Sequence, residues 1–445
     1  MHHRTLRPFA ELHSSELPMT APDTLVLIEG GRLQPFGFDP FQISKDLGLR
    51  TILVTGDTTE YLKSAVSRES VEKNVDRVIE ADISDAASVV ASLRDEHAAG
   101  RLLGVFSITE YCVVVVAEVA HALGLPGLSP AAGRDARQKQ RTRQICSTAD
   151  VPVPNFAWVQ SADQARKAAE ELGSPCVVKP PSEAGGIGVK LCSSPDEAGL
   201  HYDIIAAAPT DRRGNPRPMG ALVEEYVVGY QVSVEVVHFR GAHHVIGVTD
   251  ELYGPHPHFV AVGETYPSLL PEKTQRECAD VAVKALRAIG HNFGVAHVEV
   301  KVTAKGPLLI EVNARLPGAQ ITRLIHEAHG IHLPREVIRI HAGLTPDLNT
   351  HRDQAAAARY LTSPAAGVLT GVRGLPLAEE LPGVAEVALY LAPGDRIQAA
   401  ENIRDVLGYV IALGETAGEA ARRADAAALE IGFDVASPEV STLHG

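Results

Sequence analysis

The chain has 445 residues, 45% of them hydrophobic, and a formal charge of −14 at pH 7, so it can bury several cores and should form two to four domains. The acidic balance argues against nucleic acid or an anionic membrane as partner, and no apolar run is long enough to span a bilayer. Five scattered cysteines (Cys112, Cys146, Cys176, Cys192, Cys278) without a C-x-x-C point to neither a disulfide framework nor a zinc site, leaving small core residues.

Residues 1–23 read as a flexible leader without the apolar centre of a signal peptide, so a cytoplasmic protein is expected. His2-His3 is too short to mean a metal site. Thr24–Gly30 is a buried-strand run ending in Gly-Gly. A helix from about Asp39 to Leu47, a strand Thr51–Thr55, and further alternation through Arg77–Ala81, Ser84–His97, Gly104–Ile108 and Val113–Leu123 imply a parallel sheet over residues 24–125. The first turn lacks G-x-G-x-x-G, which argues against a dinucleotide role. Thr109-Glu110 falls just beyond a strand's carboxyl end, where open α/β sheets bind ligands. A helix cap is the competing reading for that pair.

After a turn-rich linker, Arg134–Ser147 reads as one basic helix carrying Lys139 and Arg143 four residues apart. A plain solvated basic face accounts for it equally well. Pro175–Lys179 is then a short strand ending in lysine, and Gly185, Gly186 and Gly188 follow. Glycines permit the backbone angles that aim N–H groups at phosphate oxygens, and Lys179 adds a point charge to the same place. An ordinary hairpin loop is the alternative. Ala221–Val227 and Gly229–Val237 are strands. Thr249–Pro271 reads as a long irregular loop, a kind that tends to be functional, in which His256 and His258 suit a surface better than a metal. Lys273–Gly290 is an amphipathic helix.

Ala296–Thr303 and Leu308–Ala314 flank the turn Ala304-Lys305-Gly306-Pro307 and read as a hairpin. Alternation puts Val298, Val300, Val302, Leu308, Ile310, Val312 and Ala314 on an apolar face. His297, Glu299, Lys301, Leu309, Glu311, Asn313 and Arg315 take the other. A turn centred on Lys305 sets Glu299 opposite Glu311 and His297 opposite Asn313, with opposed Cβ atoms roughly 4.5–5.5 Å apart. Facing carboxylates repel. Two Glu and one Asn form an all-oxygen set suited to Mg²⁺ sharing phosphate oxygens, and Arg315 could neutralise a reacting phosphoryl group. Beyond the hairpin, a helix from about Gln320 to Ala328 brings Arg323 and His326 toward the same site. The last hundred residues carry three strand-like runs (Ala357–Leu361, Val384–Leu391, Leu407–Leu413) and a helix, Thr416–Glu430, capped by Thr416.

Glu299 followed by Glu311-Val312-Asn313-Ala314-Arg315, with the Lys139–Arg143 helix and the Lys179–Gly188 segment, resembles the ATP-grasp superfamily, most closely its L-amino-acid ligase branch. The resemblance covers roughly Thr24 to Val435. It implies an α/β and α+β fold: an open parallel α/β domain (24–125), a two-lobed nucleotide-clasping region (134–345) and a C-terminal α+β cap (355–435). It implies ATP with two Mg²⁺ or Mn²⁺ ions, held by Glu299, Glu311 and Asn313. Lys139, Lys179, Gly185, Gly186 and Gly188 would bind phosphates. The backbone of Glu225 and Val227, with Glu224 nearby, would meet the adenine edge, and Gln231 stands where the family has a ribose-binding acid. Gly186 likewise replaces the flap's usual serine. Arg315 and Lys179 would serve catalysis, with His297, Arg315, Arg323 and Glu110 toward substrate. The implied reaction converts a carboxylate to an acyl phosphate and joins it to an amine, amino acids being the expected pair, and dimers are common in the family. A bicarbonate-activating carboxylase and an ATP-binding protein without turnover are the other readings.

Overall fold

The computed structural model describes residues 22–29, 38–211, 214–254 and 256–436. The leader up to residue 21, including His2-His3, and the Gly30-Gly31 pair lie outside the described residues. Strands Thr24–Ile28, Arg50–Thr55, Arg77–Glu80 and Leu102–Phe106 form the expected parallel sheet, in the order third, second, first, fourth. Leu25, Val26, Leu27 and Ile28 are all fully buried, as a strand covered on both faces requires. Helix Pro40–Asp46 starts where Asp39 accepts hydrogen bonds from the Phe41 and Gln42 amides, with proline in its first turn. The expected Ser84–His97 helix is two short ones, Ala86–Ser92 and Arg94–Ala98.

The basic stretch departs from its expectation. It is two helices, Pro130–Arg137 and Lys139–Thr148, separated by Gln138 in an extended conformation (φ −102°, ψ 105°). Lys139 is therefore a first-turn residue whose amide has no partner within the helix; it donates to the Pro181 carbonyl at 3.1 Å. The break lets the second helix turn its cations inward, so Lys139 and Arg143 are buried instead of solvated.

Four strands, Phe156–Val159, Ala221–Glu225, Cys176–Lys179 and Lys190–Cys192, form a small sheet in that spatial order. A larger sheet of eight begins with the hairpin Gly294–Thr303 and Gly306–Asn313, continues through Tyr230–Phe239, Ala242–Tyr253 and Ala261–Tyr266, and runs on into Ala355–Leu361, Gly408–Gly414 and Val384–Leu389. About half of the expected irregular loop is thus strand, because Glu251 pairs with Glu264 and Leu252 with Gly263. The tail shares this sheet. Its Ala355–Leu361 strand pairs along Ala261–Tyr266 and closes an edge that would otherwise be bare. Its remaining strands, Gly367–Arg373, Arg396–Ile397 and Gly432–Ala436, make a three-stranded sheet. Thr416 caps helix Ala417–Glu430 as expected, its hydroxyl accepting from the Glu419 amide. All five cysteines are free and buried. Among the described residues no helix is long and apolar enough to cross a membrane.

Candidate active site

The central hairpin fixes the site. His297 pairs with Asn313 and Glu299 with Glu311, which is the register expected of the sequence, reached by a different route. Near the turn, Thr303 pairs with Gly306 and Val300 with Leu309, and a bulge at Ile310 restores the offset before Glu311. Leu309 consequently lies on the apolar face, fully buried, and not among the charges. Leu308 and Ile310 are only partly buried, a correction to their assignment to the apolar face.

Cations close over the acids. Lys139 Nζ donates to Glu311 Oε1 at 2.6 Å and to the Glu183 carbonyl at 2.8 Å. Burial would raise the Glu311 pKa, yet Lys139 and Lys179 outweigh it and hold the carboxyl below its ordinary value. Lys179 Nζ is paired with Glu224, whose other oxygen takes Arg143 Nε. Burial depresses the Lys179 pKa against the pull of Glu224. Arg315 Nε pairs with Glu110, the buried first residue of a 3₁₀ turn, and Arg137 stands 3.5 Å from the same carboxylate. Thr109, not Glu110, caps that turn.

The sheet's charged face extends beyond the hairpin onto Tyr230–Phe239, Ala242–Tyr253 and Ala261–Tyr266. Glu235, fully buried, accepts from Ser233 Oγ at 2.6 Å and pairs with His297 Nδ1 at 3.1 Å. His297 Nε2 lies 3.7 Å from Glu251 and 3.8 Å from Glu299. Burial opposes charge on His297, but the Glu235 carboxylate outweighs it and lifts the imidazole well above its usual pKa. Burial, and then Glu299, pushes Glu251 well up, and burial raises Glu264 to about 7. The odd-numbered alternation of Gln231, Ser233 and Glu235 was a readable sign of this face. Glu251 and Glu264 were hidden in a stretch taken for loop.

Gln231 pairs in register with Lys301 and donates to Glu299 Oε2 at 3.0 Å and Glu251 Oε2 at 3.4 Å. The Glu225 side chain turns away to the Asn155 amide; Val227 follows the end of its strand. Gly185, Gly186 and Gly188 all have φ between 67° and 76°, the left-handed region. A Cβ on Gly186 would sit 3.2 Å from the Phe259 carbonyl, and one on Gly185 2.8 Å from Ile403 Cγ2. Strained angles and near neighbours together disfavour a serine there. Arg323 stands apart from the acid set, with partners Glu327 at 3.0 Å and Glu386 at 3.7 Å. His256 is a surface residue bonded to Tyr226 Oη at 2.8 Å.

Among the described residues no three of His, Cys, Asp and Glu converge tightly enough to hold an ion unaided. The donor chemistry nonetheless fits a hard cation that shares its coordination with phosphate. Two carboxylates face each other beside buried Asn313, whose amide oxygen is of the same hard-donor type, while its amide nitrogen, without a partner, is a donor suited to a phosphate oxygen.

A glycine-bearing loop and a buried lysine on a small sheet, with an acid–acid–amide hairpin on a large one, make up an arrangement of the ATP-grasp kind. The chain belongs to the ATP-grasp family, which generally works with ATP and Mg²⁺ or Mn²⁺. Residues 41–127 match the ATP-grasp N-terminal domain, 172–323 the ATP-grasp domain and 359–436 the L-amino acid ligase C-terminal domain 2. An uncharacterized protein of Sinorhizobium fredii, y4rH, is 30% identical over 87% of this chain and 78% of its own length. Carnosine synthase 1 of Gallus gallus is 30% identical over 79% of this chain, which spans only 39% of that relative. The L-amino acid ligase from Bacillus licheniformis superposes with a TM-score of 0.75 at 20% identity, over 94% of this chain and all of that one.

Proposed function

We propose that the chain is an ADP-forming carboxylate–amine ligase that joins amino acids. The observation that carries this is Glu299 facing Glu311 beside Asn313, with Lys139, Lys179 and Arg315 around them. Matches to an L-amino acid ligase domain and to relatives named carnosine synthase and L-amino acid ligase favour amino acids as the acid and the amine.

In the first half-reaction a carboxylate oxygen attacks the γ-phosphorus of ATP, the bond to the β-phosphate oxygen breaks, and ADP leaves. Two anions must meet, so the barrier is chiefly repulsion. Lys139 and Lys179 reduce it at the phosphates, and Arg315, steadied by Glu110, does so at the group in transfer. Divalent ions, two by the family pattern, would be held by Glu299, Glu311 and Asn313 and would draw charge from the phosphate oxygens. The flap over Gly185–Gly188 keeps water from the acyl phosphate. In the second half-reaction the amine attacks the acyl carbon, the carbon–oxygen bond to phosphate breaks, and the nitrogen sheds its proton. His297, held by Glu235, orients the acids around it.

Phosphate release across pairs of amino acids, with mass spectrometry of the product, tests the reading. An amide product formed with stoichiometric ADP is expected. Release that depends on bicarbonate instead, or no release with any pair, overturns it.

A further inference from the structure

The second basic helix, Lys139–Thr148, turns two cations toward consecutive residues of one hairpin strand. Lys139 reaches the Glu311 carboxylate and Arg143 Nη2 the Ile310 carbonyl. Residues four apart share a helix face, so both can reach the strand together. Arg143 is only 1% exposed, the largest fully buried side chain among the described residues. Its Nε meets Glu224, and the second Glu224 oxygen holds Lys179. One guanidinium thus ties the phosphate-facing lysine to the acid hairpin across four elements.

Ile310 is the bulged residue. If the ladder ran on from the turn without that bulge, Ile310 would oppose Glu299, and Glu311 would share the face of Val298, in the core. A slip of one residue exchanges the faces of a strand. The carbonyl of a bulged residue loses its regular ladder partner, and here Arg143 supplies one. Lysine at 143 would keep the charge but lose the planar fork that serves two acceptors at once.

We infer that Arg143 is a positioning residue that acts through Glu224 and the Ile310 bulge, setting Lys179 and the facing Glu299–Glu311 pair in one frame. This rests on the proposed nucleotide-binding function. It adds that the lysine and the metal-ligating acids are not independent: loosening Arg143 weakens nucleotide and magnesium binding together.

The test measures binding of the non-hydrolysable analogue AMP-PNP by calorimetry over a magnesium series, with thermal unfolding in parallel, for wild type, Arg143→Lys and Glu224→Gln. Each variant is expected to need about tenfold more magnesium for half-maximal binding and to bind the nucleotide about tenfold more weakly. A general loss of fold would lower the fraction of binding-competent protein while leaving both midpoints alone. Because Glu224→Gln keeps the side chain's shape and one hydrogen bond, it reports on the clasp even where Arg143→Lys folds poorly. Unchanged midpoints in both variants overturn the inference and leave the functional reading standing. Wild-type protein that takes up no nucleotide in a magnesium-dependent way overturns that reading, and the inference with it.

Discussion

Glu311 and Gln231 show how much a single side chain decides at this site. Glu311→Gln keeps the shape and leaves Lys139 an acceptor, but removes one of the two facing charges. Turnover should fall by at least roughly 100-fold, the size of losing one charge contact in a transition state. Thermal unfolding should fall somewhat, because Lys139 and Lys179 lose a counter-charge, so a steady-state assay well below both melting temperatures, beside a melting curve, separates the two effects. Gln231 carries the opposite lesson. The family pattern has an acid there, so Gln231→Glu would look like a repair. Yet the amide donates to Glu299 and Glu251, and a carboxylate in its place would repel both. Its folded pKa would be raised by those neighbours, so the cost is present above the ordinary carboxyl range and fades as pH falls. Without nucleotide, the variant should melt lower than wild type by about 1–3 kcal/mol at pH 8 and by much less at pH 5. Equal penalties at the two pH values would contradict the charge argument.

Between neighbouring strands, the hairpin separates what the sequence could reveal from what it could not. The acid pair was legible because alternation and one assumed turn centre put Glu299 opposite Glu311. The bulge was not, since Ile310 has no residue type that marks it; its position depends on Arg143, which arrives from 167 residues earlier in the chain. The faces of Leu308 and Leu309 were therefore exchanged. Leu309→Ala should cost about 2–5 kcal/mol as a core truncation, whereas Leu308→Ala should cost well under half of that; denaturant melts of the two variants compare them directly. The same physics hid the break at Gln138. Nothing local stops the basic run Arg134–Ser147 from continuing as one helix, and only tertiary partners, the Pro181 and Glu183 carbonyls, make the interruption worthwhile. The left-handed turn at Gly185, Gly186 and Gly188, by contrast, was legible from the glycines themselves.

Across the whole molecule, the parallel domain is joined to the large sheet through a buried histidine. His341 packs against Phe106 of the parallel sheet and Phe293 beside the large one, with both ring centroids 5.0 Å away. Burial lowers its pKa to about 4, and that of His291, also buried, to about 3. Each depressed value means stability that is present above the unfolded pKa of 6.5 and lost as pH falls through the folded one. That contribution should decline between pH 6.5 and 4, against a gain from Glu264, whose raised pKa of about 7 adds stability as pH falls. His341→Leu should flatten that decline, narrowing its deficit against wild type by up to about 3 kcal/mol at the acid end, as read from melts in a pH series.

The joining of the tail to the large sheet has a mechanical corollary. Strands from the last hundred residues are stitched by main-chain bonds to those that carry the acids, so floor and tail must travel as one piece. The small four-stranded lobe bearing Lys179 shares no strand with that floor and is held to it by side chains, Arg143 on the Ile310 carbonyl and Lys139 on Glu311. Cutting the chain before residue 355 would bare the margin of that floor along Ala261–Tyr266 to any strand nearby.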